Sequence, residues 1–179
     1  MYLEETSLKD FYIIKPNLHV DNRGDFLKNF NKSDFINLDL EYNFVESYFS
    51  SSKKEVIRGM HFQVPPHDHV KLVSLSSGRA FDVVLDIRKN SSSYGSWEIV
   101  DLDMSNPKIL YIPKGFAHGF CSLTDNTILH YMSTTEYKKE SDSGIRWDSI
   151  DIPWPSQNPI ISEKDRNLIF FKDFESPFY

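Results

Sequence analysis

The chain has 179 residues, of which 40% are hydrophobic and 26% charged, an ordinary balance for a globular protein. Its length predicts one domain over residues 1–179, large enough to bury a sizeable core. A net charge of −6 argues against wholesale nucleic-acid binding, because a surface that follows phosphates is usually basic. A small anionic ligand needs only a few local cations and is compatible with this charge.

Cysteine content and hydropathy bear on the compartment. Cys121 is the only cysteine, so no intrachain disulfide can form, which favours a reducing environment. No apolar run approaches the roughly 18 residues of a membrane-spanning helix. The acidic N-terminal residues do not resemble a signal peptide. We therefore expect a cytoplasmic protein without membrane contact.

Strand signals recur along the chain, whereas helix signals are weak. Between Val100 and Met104, apolar residues alternate with acidic ones, the pattern of a half-buried strand. Short helices are predicted over residues 32–37 and 162–168. Strands are predicted, in chain order, over residues 44–50, 56–62, 70–75, 80–87, 96–104, 109–112 and 127–134. Short strands at regular spacing favour a single all-β domain, a sandwich or jelly roll.

Polar side chains are unusually dense, within otherwise apolar strands, in three segments: residues 56–73, 112–120 and 130–165. Burying a charge or an imidazole is costly unless it is paired. Several such groups in one sheet therefore indicate a shared, hydrated cavity.

The first of these segments predicts a local irregularity. Arg58 and His61 are three residues apart, so on a regular strand they would point to opposite faces. Gly59 between them is a natural place for a β-bulge, which would turn both side chains toward one side. We expect such an irregularity at this glycine.

These segments belong to a longer series of motifs with a recognisable order and spacing. The motifs are DNRGDF at 21–26, RGMHFQ at 58–63, KLV at 71–73, DVVLDIR at 82–88, PKGFAHGF at 113–120, GIRWD at 144–148, IPWP at 152–155 and SEKD at 162–165. Together they resemble the dTDP-4-dehydrorhamnose 3,5-epimerase family, small cupin-type jelly rolls of bacterial sugar-nucleotide pathways. The resemblance implies an isomerase for surface-polysaccharide sugars that needs neither a metal nor an organic cofactor.

The resemblance also implies roles for individual residues. His61 matches the general base, and Asp165 matches the carboxylate that orients it. Tyr131 matches the proton donor on the opposite sugar face, and Lys71 the cation beside the 4-keto oxygen. The residues expected to bind the substrate, a nucleotide-diphosphate-linked 4-keto sugar, are Arg23, Phe26, Lys28, Glu46, Tyr48, Arg58, Gln63, His118, Tyr137, Asp142 and Lys164.

These residue types suit the implied chemistry. A proton beside a ketone is removed only if the resulting enolate is stabilised, which an ammonium at the oxygen can do. A histidine, with an ordinary pKa near 6.5, suits a base at neutral pH. Inverting a carbon requires removal of a proton from one face and delivery from the other, which a phenol across the ring can supply.

Three differences from the family pattern leave the identity of the nucleotide base open. Family members that bind a thymidine nucleotide commonly have Glu, Gln and Asn where this chain has Lys28, Glu46 and Tyr48. A carboxylate only accepts hydrogen bonds, so Glu46 could instead read the N1–H and amino edge of guanine. Tyr48 could stack on a purine. A GDP-linked 4-keto sugar, such as a heptose, is therefore the alternative substrate.

Other protein classes provide further alternatives. His67 and His69, with His118, superficially resemble the metal site of cupin oxidoreductases, but Lys71 nearby would oppose a cation. A non-catalytic sugar-nucleotide binding module would not need a base and an acid on opposite faces. A ketoisomerase is a close relative, although the His61 and Tyr131 pairing favours an epimerase. The resemblance further implies a homodimer that exchanges its N-terminal segments.

Overall fold

The computed structural model describes residues 1–179. Its strands are β1 Tyr2–Glu5, β2 Tyr12–Lys15, β3 Leu18–Asp21, β4 Gly24–Leu27, β5 Glu46–Ser52, β6 Ile57–Gln63, β7 Lys71–Ser77, β8 Arg79–Asp86, β9 Trp97–Asp103, β10 Ile109–Ile112, β11 Phe116–Ser122, β12 Thr127–Ser133 and β13 Asp142–Gly144. The helices are α1 Lys32–Asn37 and α2 Glu163–Arg166, with a 3₁₀ turn at Phe171–Asp173. The all-β prediction is therefore confirmed. None of the helices has the length and hydropathy of a membrane-spanning segment.

Two antiparallel sheets contain eleven of the strands. The six-stranded sheet has the order β1-β2-β10-β7-β12-β5, and the five-stranded sheet has the order β13-β6-β11-β8-β9. The hairpin of β3 and β4 pairs with neither sheet. Strands that are adjacent in space are mostly not consecutive in sequence, as in a jelly roll.

The main core lies between the sheets and draws side chains from both. Val73 and Leu129 come from the six-stranded sheet, and Val84 and Phe120 from the five-stranded one, all fully or nearly fully buried. In β12 the burial alternates along the whole strand, so one face packs into this core.

Strand β9 confirms the predicted alternation with one correction at its end. Val100 and Leu102 are buried and Asp101 is exposed. Met104, by contrast, lies beyond the last residue of β9 and is 38% exposed.

Both predicted helices exist, and each begins at a side-chain cap. The Asn31 side chain accepts hydrogen bonds from the N–H groups of Ser33 and Asp34, which fixes the start of α1. Ser162 caps α2 in the same way by accepting from the N–H of Asp165. Helix α2 ends at Arg166, so the prediction to residue 168 was too long.

Strand β11 was not predicted as a strand, although it lies at the centre of its sheet. All seven of its residues are buried, so it shows no alternation of polar and apolar positions. A buried segment without such alternation is not distinguished from other buried segments by periodicity alone. The strands before residue 28, of which β3 is exposed throughout, and the three-residue β13 were also missed.

Candidate active site

A cavity of about 550 Å³ opens between the two sheets, a volume typical of small-molecule sites. Eleven of the predicted residues line it: Glu46, Tyr48, Arg58, His61, Gln63, Lys71, His118, Tyr131, Tyr137, Asp142 and Lys164. Five further lining residues were not predicted as substrate or catalytic residues: Ser50, Phe62, His69, Phe120 and Ser133. The alternation within β5 could have indicated Ser50, which lies two and four residues after Tyr48 and Glu46.

The irregularity expected at Gly59 is present and brings Arg58 and His61 to the same cavity. Strands β11 and β6 pair at His118–His61 and again at Phe120–Arg58, so two steps along β11 match three along β6. The extra residue bends the strand, as in a β-bulge. Gly59 has φ +144°, a conformation that side chains disfavour.

His61 is held by the carboxylate of Asp165. Its Nε2 lies 2.7 Å from Oδ1 of Asp165, which extends from α2 and is 3% exposed. Burial alone would raise the pKa of Asp165, but hydrogen bonds from His61 and from the N–H of Gly59 hold it below its usual range. An ionised carboxylate accepts the Nε2 proton, which leaves Nδ1 as the basic nitrogen of a neutral His61.

Tyr131 lies on the opposite wall, in strand β12 of the six-stranded sheet. Its side chain is buried, and its hydroxyl is 3.3 Å from the hydroxyl of Ser50. Burial raises the pKa of Tyr131 well above its usual range, although the hydrogen bond with Ser50 opposes this shift. The phenol therefore stays protonated at physiological pH and can donate its proton.

Lys71 occupies the neighbouring strand β7 on the same wall. It is 8% exposed and forms no ion pair within 4.0 Å. Burial lowers the pKa of Lys71 to about 8, while the charges of Asp82 and Asp142 oppose this shift. The ammonium is therefore available to a ligand oxygen, in an environment where its charge acts strongly.

A second imidazole–carboxylate pair lies beside the first. Nε2 of His118 is 2.9 Å from both carboxylate oxygens of Asp82, which is fully buried. His118 faces His61 directly in the register of β11 and β6. Asp82 had no predicted role, although a carboxylate within the apolar run of β8 was a usable signal. Because Asp82 occupies Nε2, only Nδ1 of His118 remains for a ligand.

Cationic and polar groups surround the remainder of the cavity. Asp142 accepts a hydrogen bond from the Tyr137 hydroxyl at 3.1 Å and forms an ion pair with Lys164. Arg58 donates through Nε to the Ser52 hydroxyl at 3.1 Å. The cations Arg58, Lys71 and Lys164 outnumber the carboxylates Glu46 and Asp142 in the lining, which gives the cavity a positive charge suited to an anionic ligand.

Gln63 reaches the cavity, but its amide is occupied by the protein itself. Its Oε1 accepts from the N–H of Lys138 at 2.6 Å, and its Nε2 donates to the carbonyl of His67 at 2.8 Å. Direct contact of Gln63 with the substrate stays a prediction, which these internal hydrogen bonds do not favour. The side chain ties together the loops that follow β6 and β12.

Arg23, Phe26 and Lys28 are outside the cavity. They belong to the β3–β4 hairpin and the residue after it, where Arg23 pairs with Asp21 at 2.6 Å and Phe26 is 58% exposed. Within one chain, these three residues are therefore not among those that line the cavity, and their contact with the substrate stays a prediction.

The imidazoles considered for a metal site have other partners. His67 is bonded to the Ser141 hydroxyl at 2.8 Å, and Nδ1 of His69 to the Gln63 amide at 3.2 Å. No group of three or more His, Cys, Asp or Glu side chains is arranged to hold a metal ion.

A family model described as dTDP-4-dehydrorhamnose 3,5-epimerase matches residues 5–173. The chain belongs to this family. A dTDP-4-dehydrorhamnose 3,5-epimerase of Shigella flexneri is 41% identical over 97% of both chains. A relative of the same description from Methanothermobacter thermautotrophicus is 45% identical over 91% of this chain and 90% of its own.

A solved structure in this epimerase family confirms the predicted jelly roll. The dTDP-6-deoxy-D-glucose-3,5-epimerase of Legionella pneumophila, in complex with dTDP-4-keto-L-rhamnose, superposes with a TM-score of 0.94. It is 34% identical, and the match covers 99% of this chain and 98% of that one. The chain is therefore an epimerase-family enzyme with a cupin-type fold.

Proposed function

We propose that this protein epimerises a nucleotide-diphosphate-linked 4-keto-6-deoxy sugar at C3, C5 or both. One arrangement supports the proposal. His61, backed by Asp165, and the buried phenol of Tyr131 line one cavity from facing sheets, and the unpaired ammonium of Lys71 lies on the phenol's side. A base and an acid on opposite walls are what inversion of a carbon requires.

Each step uses one of these groups. Nδ1 of His61 takes the proton from a carbon beside the ketone, and the C–H electrons form a carbon–carbon double bond. The carbonyl oxygen becomes an enolate, which the Lys71 ammonium stabilises. The enolate then collapses to the ketone as the same carbon takes a proton from Tyr131 on the other face. The balance is one proton removed and one returned, without oxidation.

We propose a dTDP-linked sugar as the substrate, because the Legionella relative was solved with dTDP-4-keto-L-rhamnose. Arg58 and Lys164 are the groups proposed to bind its diphosphate. The GDP-linked alternative depends on Glu46. Its Oε2 accepts from Ser133 and from the N–H of Tyr137, whereas Oε1 has no partner in the chain and is free to accept from guanine. A thermal-shift panel of dTDP, GDP, CDP and UDP would show which nucleotide stabilises the protein most.

The reaction itself can be tested in deuterated water. We expect the wild-type protein to exchange the protons beside the ketone of dTDP-4-keto-6-deoxyglucose and to invert those carbons. His61→Ala should abolish exchange, whereas Tyr131→Phe should suppress inversion and leave some exchange, because abstraction needs only the base. His130→Gln is the matched control, since His130 is bonded to Ser47 and does not line the cavity.

Three outcomes would contradict the proposal. Wild-type exchange rates in both active-site variants would remove the assigned roles. Binding of the nucleotide sugar without exchange in the wild type would indicate a binding module. Loss of turnover on treatment with a chelator would favour the metal-dependent alternative.

We also propose a homodimer in which the β3–β4 hairpin reaches the partner's cavity. An isolated hairpin is marginally stable in water, and this one exposes Val20 and Phe26. A mixture of Arg23→Ala and His61→Ala subunits tests the exchange. If Arg23 acts in its own chain, no mixed dimer has an intact site; if it acts across the dimer, each mixed dimer has one.

A cytoplasmic location and a role in making surface-polysaccharide sugars complete the proposal. The unpaired, buried Cys121 is consistent with a reducing compartment. Cell fractionation, and sugar analysis of the polysaccharide from a strain without this protein, would test these two points.

A further inference from the structure

His69 lines the cavity, yet the mechanism above gives it no role. It lies two residues before Lys71, and both side chains reach the same cavity. Alternate residues of an extended segment share a face, which explains why the imidazole and the ammonium are neighbours. The position of the proton on this imidazole decides what the ring can offer a ligand.

The surrounding backbone determines that position. The N–H of Lys138 can only donate, so the Gln63 atom that faces it at 2.6 Å is the amide oxygen. The amide nitrogen of Gln63 must then face three groups: the His67 carbonyl at 2.8 Å, Nδ1 of His69 at 3.2 Å and the Glu136 carbonyl at 3.3 Å. That nitrogen only donates, so a proton on Nδ1 of His69 would face another donor at 3.2 Å; Nδ1 therefore accepts, and a neutral ring has its proton on Nε2.

Two further observations agree with this tautomer. The carbonyl of His67, the other group that could take a proton from the ring, already accepts from Gln63 and from the Thr135 hydroxyl. Burial, and then the charge of Lys71, lower the pKa of His69 to about 3 against an opposing contact with the backbone of His67, so the ring is neutral at physiological pH. No group of the protein accepts a hydrogen bond from Nε2 of His69.

We infer that His69 is a further substrate-binding residue, whose Nε2–H donates to a sugar oxygen next to the 4-keto oxygen at Lys71. The inference rests on the proposed function. A neutral donor adds a hydrogen bond on this wall without the repulsion that a second cation beside Lys71 would cause. It also selects for a sugar with an acceptor oxygen at that place.

A pair of isosteric substitutions separates the two ring nitrogens. The amide of glutamine extends about as far as Nε2, whereas that of asparagine matches Nδ1. We expect His69→Asn to lower kcat/KM for the 4-keto sugar about 3- to 10-fold, the value of one neutral hydrogen bond. His69→Gln should stay within about 2-fold of the wild type. Calorimetry with dTDP alone should give unchanged affinity for both variants, because the contact is with the sugar.

A measurement on the wild type is independent of turnover. We expect ¹⁵N NMR of labelled histidines to show the Nε2–H tautomer of His69, with a resonance that shifts on binding dTDP-glucose and not on binding dTDP. An Nδ1–H tautomer, or equal activity of His69→Asn and the wild type, would overturn the inference. Equal losses in both variants would also overturn it, because they would assign the role to the contact with Gln63. A wild type without proton exchange would instead contradict the proposed function.

Discussion

The ring of Tyr48 lies flat against the ring of Tyr131, with centroids 4.8 Å apart and planes inclined by 13°. The two residues are directly opposite each other in the register of β5 and β12. Two residues further along β5, the hydroxyl of Ser50 contacts that of Tyr131. Alternate side chains of one strand thus fix both the ring and the hydroxyl of the proposed acid.

Removing the stack should affect proton return more than proton abstraction. An aromatic pair contributes roughly 0.5–1.5 kcal/mol beyond burial. We therefore expect Tyr48→Ala to lower the ratio of inversion to deuterium exchange about 2- to 10-fold. Tyr48→Phe, which keeps the stack, is the control and should match the wild type. A ratio that is unchanged in Tyr48→Ala would show that the stack does not position Tyr131.

Asp165→Asn should disable the base while leaving the fold intact. The amide can donate to Nε2 of His61, which would move the ring proton to Nδ1, the nitrogen that must accept. We expect kcat to fall roughly 10²- to 10⁴-fold, the usual contribution of general acid–base catalysis. The rate of deuterium exchange measures this loss, and a wild-type rate would contradict the role of the carboxylate.

The same substitution should change the response of stability to acid. The pKa of Asp165 is lower in the folded protein than in the unfolded chain, where it is about 3.9. Its stabilising contribution is therefore complete above the unfolded value and is lost as the pH falls through the folded one. Urea unfolding should show a smaller difference between the wild type and Asp165→Asn at about pH 3 than at about pH 7.

Lys71 should set the alkaline limit of activity. Because burial lowers its pKa to about 8, the ammonium is lost as the pH rises through that value, and kcat/KM should fall with it. Lys71→Met should lower kcat roughly 10²- to 10³-fold, as expected for an oxyanion donor. An alkaline limb that is unchanged in Lys71→Arg, whose charge persists, would assign the limb to another group.

Lys71→Met should also stabilise the protein without ligand. A buried cation whose folded pKa is lowered costs stability at any pH below its unfolded value. The thermal midpoint of Lys71→Met should therefore exceed that of the wild type at about pH 7, and the difference should shrink as the pH rises from about 8 to 10. A lower midpoint would show that the ammonium has a stabilising partner in solution.

Gly59→Ala should lower the free energy of unfolding more than an alanine substitution at a glycine with open space around it. A Cβ at this position would lie 2.5 Å from the Cα of Gly119, a contact that only backbone movement can relieve. Gly24→Ala is the matched control, because Gly24 also has positive φ but a Cβ there would meet nothing within 4 Å. We expect the control to lose about 1–3 kcal/mol or less, and Gly59→Ala to lose more. Equal losses in the two variants, measured by urea unfolding, would contradict this expectation.

The sequence alone predicted most strands of the two sheets, including the fully buried β10, but it missed the fully buried β11 and the exposed strands β3 and β4. The alternation in β9 and the capped start of α1 are local patterns, visible without tertiary context. Strand β11 has no pattern to recognise, because both of its faces are covered. Its role as the strand opposite β6 follows only from the packing of the sheets.

For the site, the sequence indicated which residues line the cavity better than it indicated which residues pair with each other. The pairing of His61 with Asp165 was expected from the family resemblance, whereas the second pair, His118 with Asp82, was not. Gln63 was predicted to bind the substrate, but the sequence does not show that backbone groups also bond to its amide. The Gln63 amide forms hydrogen bonds with two loops that are about seventy residues apart in the chain, so the local sequence does not reveal its partners.

Because the acid and the base belong to different sheets, the thickness of the sandwich fixes their separation. Packed sheets lie about 10 Å apart, and the core side chains beside the cavity maintain that distance. Whether the carbon is inverted therefore depends partly on hydrophobic side chains that do not touch the substrate. A shift of one sheet against the other would alter proton delivery even if every polar group kept its own hydrogen bonds.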